Sequence, residues 1–136
     1  TVTLSAVLAL TLVLTACGSK VDEAASGTVI GTIEESDLGS DESASAAFDL
    51  SPGNYVLICN VPRHYEDGMY TGFAVTGGGD LKSTTVNVKL GEWFVFSNSV
   101  SVAAGSVTFD VTNEGGKDHN FVVIKSDLAP SALVLQ

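Results

Sequence analysis

The chain has few of the residues that build basic binding surfaces or multi-ligand metal clusters. Its 136 residues include six lysines and arginines against sixteen acidic residues, which gives a formal net charge of -10. This balance argues against a nucleic acid partner, because such a surface needs clustered cations to neutralise phosphates. The chain has two histidines, two cysteines and one methionine. These are too few for a metal store built from several thiolates or a methionine cluster.

The sequence also lacks a long amphipathic helix, an internal repeat and a glycine pattern for nucleotide binding. Short apolar or alternating runs are instead separated by Gly, Pro, Asn and Asp, as in 106–112, where Val107, Phe109 and Val111 alternate with polar residues. The only helix expected is a turn or two within 128–135. Strands are predicted over 28–33, 44–50, 54–60, 71–75, 86–97, 106–112 and 120–125. Seven short strands at this spacing predict an all-β sandwich or barrel. The strand over 54–60 is expected to be interior, because 55–58 is apolar on both faces.

Three segments are expected along the chain. Residues 1–16 are apolar but shorter than a comfortable transmembrane helix, and they end in Leu-Thr-Ala before Cys17. This ending resembles the lipobox of bacterial lipoproteins, so 1–17 is predicted to be a signal segment with Cys17 as the lipidated residue. Residues 18–27 are predicted to be a flexible tether and 28–136 a single domain. The resemblance implies an extracytoplasmic protein anchored to the cell membrane by lipid; the alternative is a secretory signal with an incidental cysteine.

If Cys17 carries lipid, Cys59 is an unpaired thiol in an exported protein, which calls for a reason such as metal binding. A disulfide between Cys17 and Cys59 is the alternative. The segment 59–69 carries a cysteine, a histidine and a methionine, namely Cys59, His64 and Met69. A soft thiolate, imidazoles and a weak thioether suit copper in both of its oxidation states. Zinc is the competing metal, but methionine is a poor ligand for it.

The Cys-x4-His-x4-Met spacing resembles the ligand loop of cupredoxins, the blue-copper family of azurin, plastocyanin and auracyanin. The flanks 50–55 and 70–75 are similar to the strands on either side of that loop. The resemblance implies a Greek-key β-sandwich that holds one type 1 copper ion. In similar members of that family a glycine precedes the loop histidine, whereas this chain has Arg63 at that position.

The family draws a further imidazole from a distant strand, in a pattern similar to Asn-x-Gly followed by His-Asn. Residues 113–120 have this pattern, so the resemblance assigns His119 as the remaining ligand. It also implies that the backbone N–H of Asn120 points at the Cys59 sulfur, that the Asn120 side chain joins the two loops, and that Val61 supplies another N–H to the sulfur. Both histidines of the chain then fall on ligand positions.

The two halves of the resemblance occur in reversed order, because the cysteine loop of a cupredoxin normally follows its first histidine. Either the domain is circularly permuted, with residues 76–85 joining the former ends, or the chain is part of a tandem array. We favour the permutant, because ten flexible residues can span up to about 30 Å.

These features predict an electron-transfer protein that is a monomer and has a redox protein as its partner. An enzyme is not expected, because a catalytic metal site would need further imidazoles and an open coordination position. Copper delivery and a metal-free structural or adhesion domain are the alternatives. Half of the acidic residues lie between Asp22 and Asp49; they form either a solvated face or a surface that steers a basic partner.

Overall fold

A computed structural model describes residues 27–77 and 79–134. The predicted signal segment, Cys17 and all of the predicted tether except Gly27 lie outside these residues. Within the described part of the chain, no helix is long and apolar enough to cross a membrane.

The described residues form nine strands and two short 3-10 turns. The strands are β1 (Thr28–Ile33), β2 (Ser43–Leu50), β3 (Gly53–Ile58), β4 (Tyr70–Thr76), β5 (Lys82–Gly91), β6 (Phe94–Ser97), β7 (Ser101–Ala103), β8 (Gly105–Asn113) and β9 (Phe121–Lys125), with the turns at Glu35–Asp37 and Pro130–Ala132. The predicted all-β sandwich is therefore confirmed. The helix expected within 128–135 is reduced to a single 3-10 turn.

Two mixed sheets make up the sandwich. One has five strands in the order β1-β9-β3-β4-β7, and the other has four strands in the order β2-β8-β5-β6. The pairs β4–β7 and β5–β8 are parallel, and the remaining neighbours are antiparallel. Strand β3 lies between β9 and β4, which agrees with the prediction of an interior strand.

The core lies between the two sheets, and every second residue along a strand such as β8 is buried in it. Val107, Phe109 and Val111 of β8 are fully buried, and the Phe109 ring packs against those of Phe73 and Phe121, at centroid distances of 5.6 and 5.3 Å. A smaller apolar cluster covers the outer face of the five-stranded sheet, where Leu133 packs against the strands. This second cluster explains why β3 and β9 are apolar on both faces.

Two predictions for this part of the chain were wrong in their extent, the single strand over 86–97 and the join over 76–85. Residues 86–97 do not form one strand, because the chain reverses after Gly91 and β6 pairs antiparallel with β5. The first four residues of β5 were assigned to the join 76–85, but β4 ends at Thr76 and β5 begins at Lys82. Lys82 pairs with Gly105, where φ is +139° and where a Cβ atom would collide with the Lys82 backbone. Glycine therefore permits this parallel register.

Candidate metal centre

The loop between β3 and β4 carries three of the four predicted ligands. Cys59 is the first residue after β3, and its N–H donates to the carbonyl of Met69 at 3.1 Å, which extends the strand pairing by one step. Met69 N–H donates to the His64 carbonyl at 3.1 Å, and His64 N–H donates to the Val61 carbonyl at 2.9 Å. The side chains of Cys59 and Met69 are fully buried, and His64 is 8% exposed. These backbone hydrogen bonds thus fix the positions of the Cα atoms from which the three side chains extend.

The predicted fourth ligand, His119, lies in the loop between β8 and β9. Its N–H donates to the Leu38 carbonyl at 3.2 Å. The buried Asn113 amide donates to the carbonyls of Leu38 at 2.9 Å and Lys117 at 2.7 Å, and its oxygen accepts the Gly115 N–H at 2.9 Å. Asn113 therefore shapes the loop that turns the fully buried His119 ring toward the other loop.

Three side chains from the two loops meet at one point. The Cys59 Sγ atom lies 3.4 Å from His64 Nδ1 and 3.8 Å from His119 Nδ1. The two Nδ1 atoms are 3.0 Å apart. Sulfur and nitrogen donors from residues 60 positions apart thus converge in a buried place.

These separations fit one metal ion. Zinc, as an example, forms bonds of about 2.0 Å to imidazole nitrogen and about 2.3 Å to thiolate sulfur. Donors on one such ion in trigonal or tetrahedral geometry lie about 3.3–3.8 Å apart, close to the observed 3.0–3.8 Å. Cys59, His64 and His119 could therefore hold a metal ion.

The Cys59 sulfur is buried and accepts hydrogen bonds from backbone N–H groups. Burial raises the pKa of the Cys59 thiol above 9.0, and the backbone N–H groups of Val61 and Asn120 oppose this rise by donating to the sulfur. The Asn120 side-chain oxygen accepts the N–H of Asn60 at 2.6 Å. Asn120 thus contacts the cysteine loop through both its backbone and its side chain.

Burial also favours the neutral form of both imidazoles, the form that binds metals. It lowers the pKa of His64 below 6.5, and the neighbouring His119 lowers it further. Burial likewise lowers the pKa of His119, although the carboxylate of Glu92 acts in the opposite direction. The lowered pKa values therefore favour unprotonated imidazole nitrogens at the site near neutral pH.

Two further residues at the site, Glu92 and Trp93, were not predicted from the sequence. Both lie in the turn between β5 and β6. The Glu92 carboxylate is 3.2 Å from His119 Nε2. The Trp93 ring lies edge-on to His64, with centroids 4.8 Å apart, and is 37% exposed. This turn fell inside the single strand predicted over 86–97, and Gly91 was the one signal that could have revealed it.

Arg63 precedes His64 in the loop and has a φ of +75°. This is the left-handed region, which glycine enters without the steric cost that a Cβ atom brings. The departure from glycine noted in the sequence therefore falls at a position where glycine would be relaxed.

The described residues place Cys59, His64 and His119 together and bury Met69 in the loop that carries Cys59 and His64. The role of Met69 as a ligand stays a prediction, and Cys17 lies outside the described residues. No protein-family model, curated protein or solved structure matches this chain.

Proposed function

We propose that the protein is an electron carrier with one type 1 copper ion held by Cys59, His64, His119 and Met69. The observation that carries the proposal is the convergence of one cysteine sulfur and two imidazole Nδ1 atoms within 3.0–3.8 Å in a buried pocket. When bound, copper would supply the cycling between Cu(I) and Cu(II). The protein would hold the donors in a single arrangement, which suits both states.

The donor set favours copper over zinc. Cysteine and histidine bind either metal, but the buried thioether of Met69, on the same loop, is a soft and weak donor that suits copper. The N–H groups of Val61 and Asn120 at the sulfur also fit an electron carrier, because hydrogen bonds to a ligand sulfur tune the reduction potential.

The family proposal is a circularly permuted cupredoxin. The all-β sandwich supports it, as does the meeting of the cysteine loop with the histidine loop despite their reversed order in the chain. The join is shorter than predicted, because β4 and β5 are separated only by the residues between Thr76 and Lys82. These two strands lie in different sheets, so the join crosses from one layer to the other.

The place of action in the proposal is the outer face of a bacterial membrane, with Cys17 as the lipid anchor and a redox protein as partner. It rests on the lipobox-like ending before Cys17. Labelling with a radioactive fatty acid in a bacterial host tests the anchor. Incorporation that is lost in Cys17→Ser supports it, and equal labelling of both proteins contradicts it.

A visible absorption spectrum after addition of Cu(II) tests the copper site. We expect an intense thiolate-to-copper band that disappears in Cys59→Ser, because the colour requires the bond to sulfur. The matched control is Cys17→Ser, which removes the other cysteine of the chain and should keep the band. A colourless copper complex of the unmodified protein would contradict the blue-copper assignment.

Electron carriage differs from copper delivery in what happens on reduction. We expect the protein to pass through repeated oxidation and reduction in the presence of a Cu(I) chelator and to keep its metal, because the donor side chains are buried. Rapid loss of Cu(I) to the chelator would favour delivery. The absence of any histidine beyond the two proposed ligands supports a carrier in preference to an enzyme.

A further inference from the structure

Glu92 joins the turn after β5 to the loop that carries His119. Its Oε1 atom lies 3.2 Å from His119 Nε2 and accepts the N–H of Lys117 at 2.8 Å. Its Oε2 atom accepts the N–H of Gly116 at 3.2 Å. A Cβ atom at Gly115 would collide with the carboxylate, so the loop has a glycine where the carboxylate fits against it.

The hydrogen bonds of the Glu92 carboxylate determine which nitrogen of the His119 imidazole carries the proton. Both carboxylate oxygens face N–H donors, and an ionised carboxylate can only accept hydrogen bonds. The N–H groups of Lys117 and Gly116 stabilise the ionised form of this carboxylate by donating to it. His119 Nε2 must then carry a proton, and in a neutral ring the lone pair is on Nδ1. Nδ1 is the atom that faces Cys59 Sγ and His64 Nδ1.

We propose that Glu92 is a positioning residue of the metal centre: its carboxylate fixes the His119 ring in the Nε2–H tautomer and thereby presents Nδ1 to the metal. The inference rests on the proposed function only for the identity of the metal. Partners of this kind orient a ligand imidazole and increase its basicity, and their loss typically costs about 10–100-fold in metal affinity.

The competing role for Glu92 is a purely structural tie between two loops. Glu92→Ala removes the acceptor, so the tautomer is no longer imposed, and Glu92→Gln removes the charge but keeps one oxygen that can accept the Nε2–H. The matched control is Glu114→Ala. Glu114 is exposed in the same region, and its carboxylate pairs with Lys89 at 3.0 Å. Its removal takes away one negative charge and leaves the contact to His119 in place.

The first experiment is heteronuclear NMR of the imidazole nitrogens in the metal-free chain at neutral pH. The chain has only two histidines, and His64→Gln assigns the signals. We expect the Nε2–H tautomer at His119 in the unmodified protein, in Glu92→Gln and in Glu114→Ala, and a mixture of tautomers in Glu92→Ala. An unchanged tautomer in folded Glu92→Ala would overturn the proposal. If that variant does not fold, the Co²⁺ affinity of Glu92→Gln decides: a loss relative to the unmodified protein supports the role of the carboxylate, and wild-type affinity overturns it.

The second experiment measures the affinity for Co²⁺ by titration. We expect a 10–100-fold loss in Glu92→Ala, a smaller loss in Glu92→Gln and affinity within twofold of the unmodified protein in Glu114→Ala. Wild-type affinity in both Glu92 variants would overturn the proposal while the blue spectrum of the copper protein stood. Failure of the unmodified protein to give that spectrum would remove the proposed function, and the tautomer measurement would still decide the role of Glu92.

Discussion

Acid should destabilise the metal-free protein through His64 and His119. An unfolded chain binds protons at these residues near pH 6.5, whereas burial lowers the pKa of both imidazoles in the folded protein. Below about pH 6.5 the unfolded state therefore holds more protons than the folded state, and the free energy of unfolding falls as the pH falls. The stability that the neutral histidines contribute is present above this pH and is lost below it.

The slope of this dependence follows from proton linkage. While a histidine is charged in the unfolded chain and neutral in the folded protein, the free energy of unfolding changes by about 1.4 kcal/mol per pH unit. Two such histidines give at most about 2.7 kcal/mol per pH unit. A typical domain has a free energy of unfolding of about 5–15 kcal/mol, so one pH unit removes a measurable fraction.

Denaturant titrations of the metal-free chain between pH 7.5 and about 5.5, with a chelator present, measure this slope. The chain has a single tryptophan, Trp93, and its ring contacts His64, so its fluorescence reports on the site itself. Glu92 does not interfere, because its pKa lies below 4.5 and its contribution is lost only at lower pH.

Two variants test whether His64 and His119 cause this pH dependence of the free energy of unfolding. His64→Gln and His119→Gln should each reduce it, because each removes one of the two titrating rings. A free energy of unfolding that stays constant from pH 7.5 to 5.5 in the unmodified protein would refute the reasoning.

At the alkaline end stability should fall again above about pH 9, because the raised pKa of Cys59 keeps its thiol neutral in the folded state while the unfolded chain loses that proton.

Three further changes test other parts of the structure. Met69→Gln should keep the blue site but lower its reduction potential in voltammetry, because an oxygen donor stabilises Cu(II) more than Cu(I); an unchanged potential would remove Met69 from the ligand set. Arg63→Gly should raise the free energy of unfolding by about 0.5–1 kcal/mol, since relief at a φ of +75° exceeds the added freedom of the unfolded chain; lower stability in denaturant would contradict this. A dilution series of the copper-loaded protein, followed by size-exclusion chromatography, should show one copper per monomer; a blue species found only at dimer mass would indicate ligands shared between chains.

The strands were predictable wherever burial alternates along the chain. Strand β8 keeps the pattern of Val107, Phe109 and Val111, and its predicted bounds differ by one residue at each end. The segment Lys82–Gly91 was only partly recognised, because its first four residues are polar and gain strand structure from parallel pairing with β8. Strand β7 has three residues, which are too few to show any period.

The site, too, could be predicted only where a local sequence pattern reveals it. Cys59, His64 and Met69 could be found because local spacing on one loop carries the signal. Glu92 could not, because it lies 27 residues from His119 and reaches it only through the turn between β5 and β6. A glutamate in an exposed turn has no sequence pattern that distinguishes it from a solvated charge.

The spacing of the donors along the chain also affects what happens before folding. Cys59 and His64 are 5 residues apart, whereas His119 is 60 residues from Cys59. A denatured chain keeps the close donors as a local chelate, so it can capture a metal ion before any sheet has formed. Recruiting His119 at that stage would require closing a 60-residue loop, an entropy cost of about 3.6 kcal/mol. The folded sandwich has already closed this loop. A metal ion therefore stabilises the fold by less than its affinity for the native site implies, because part of that affinity belongs to the unfolded chain as well.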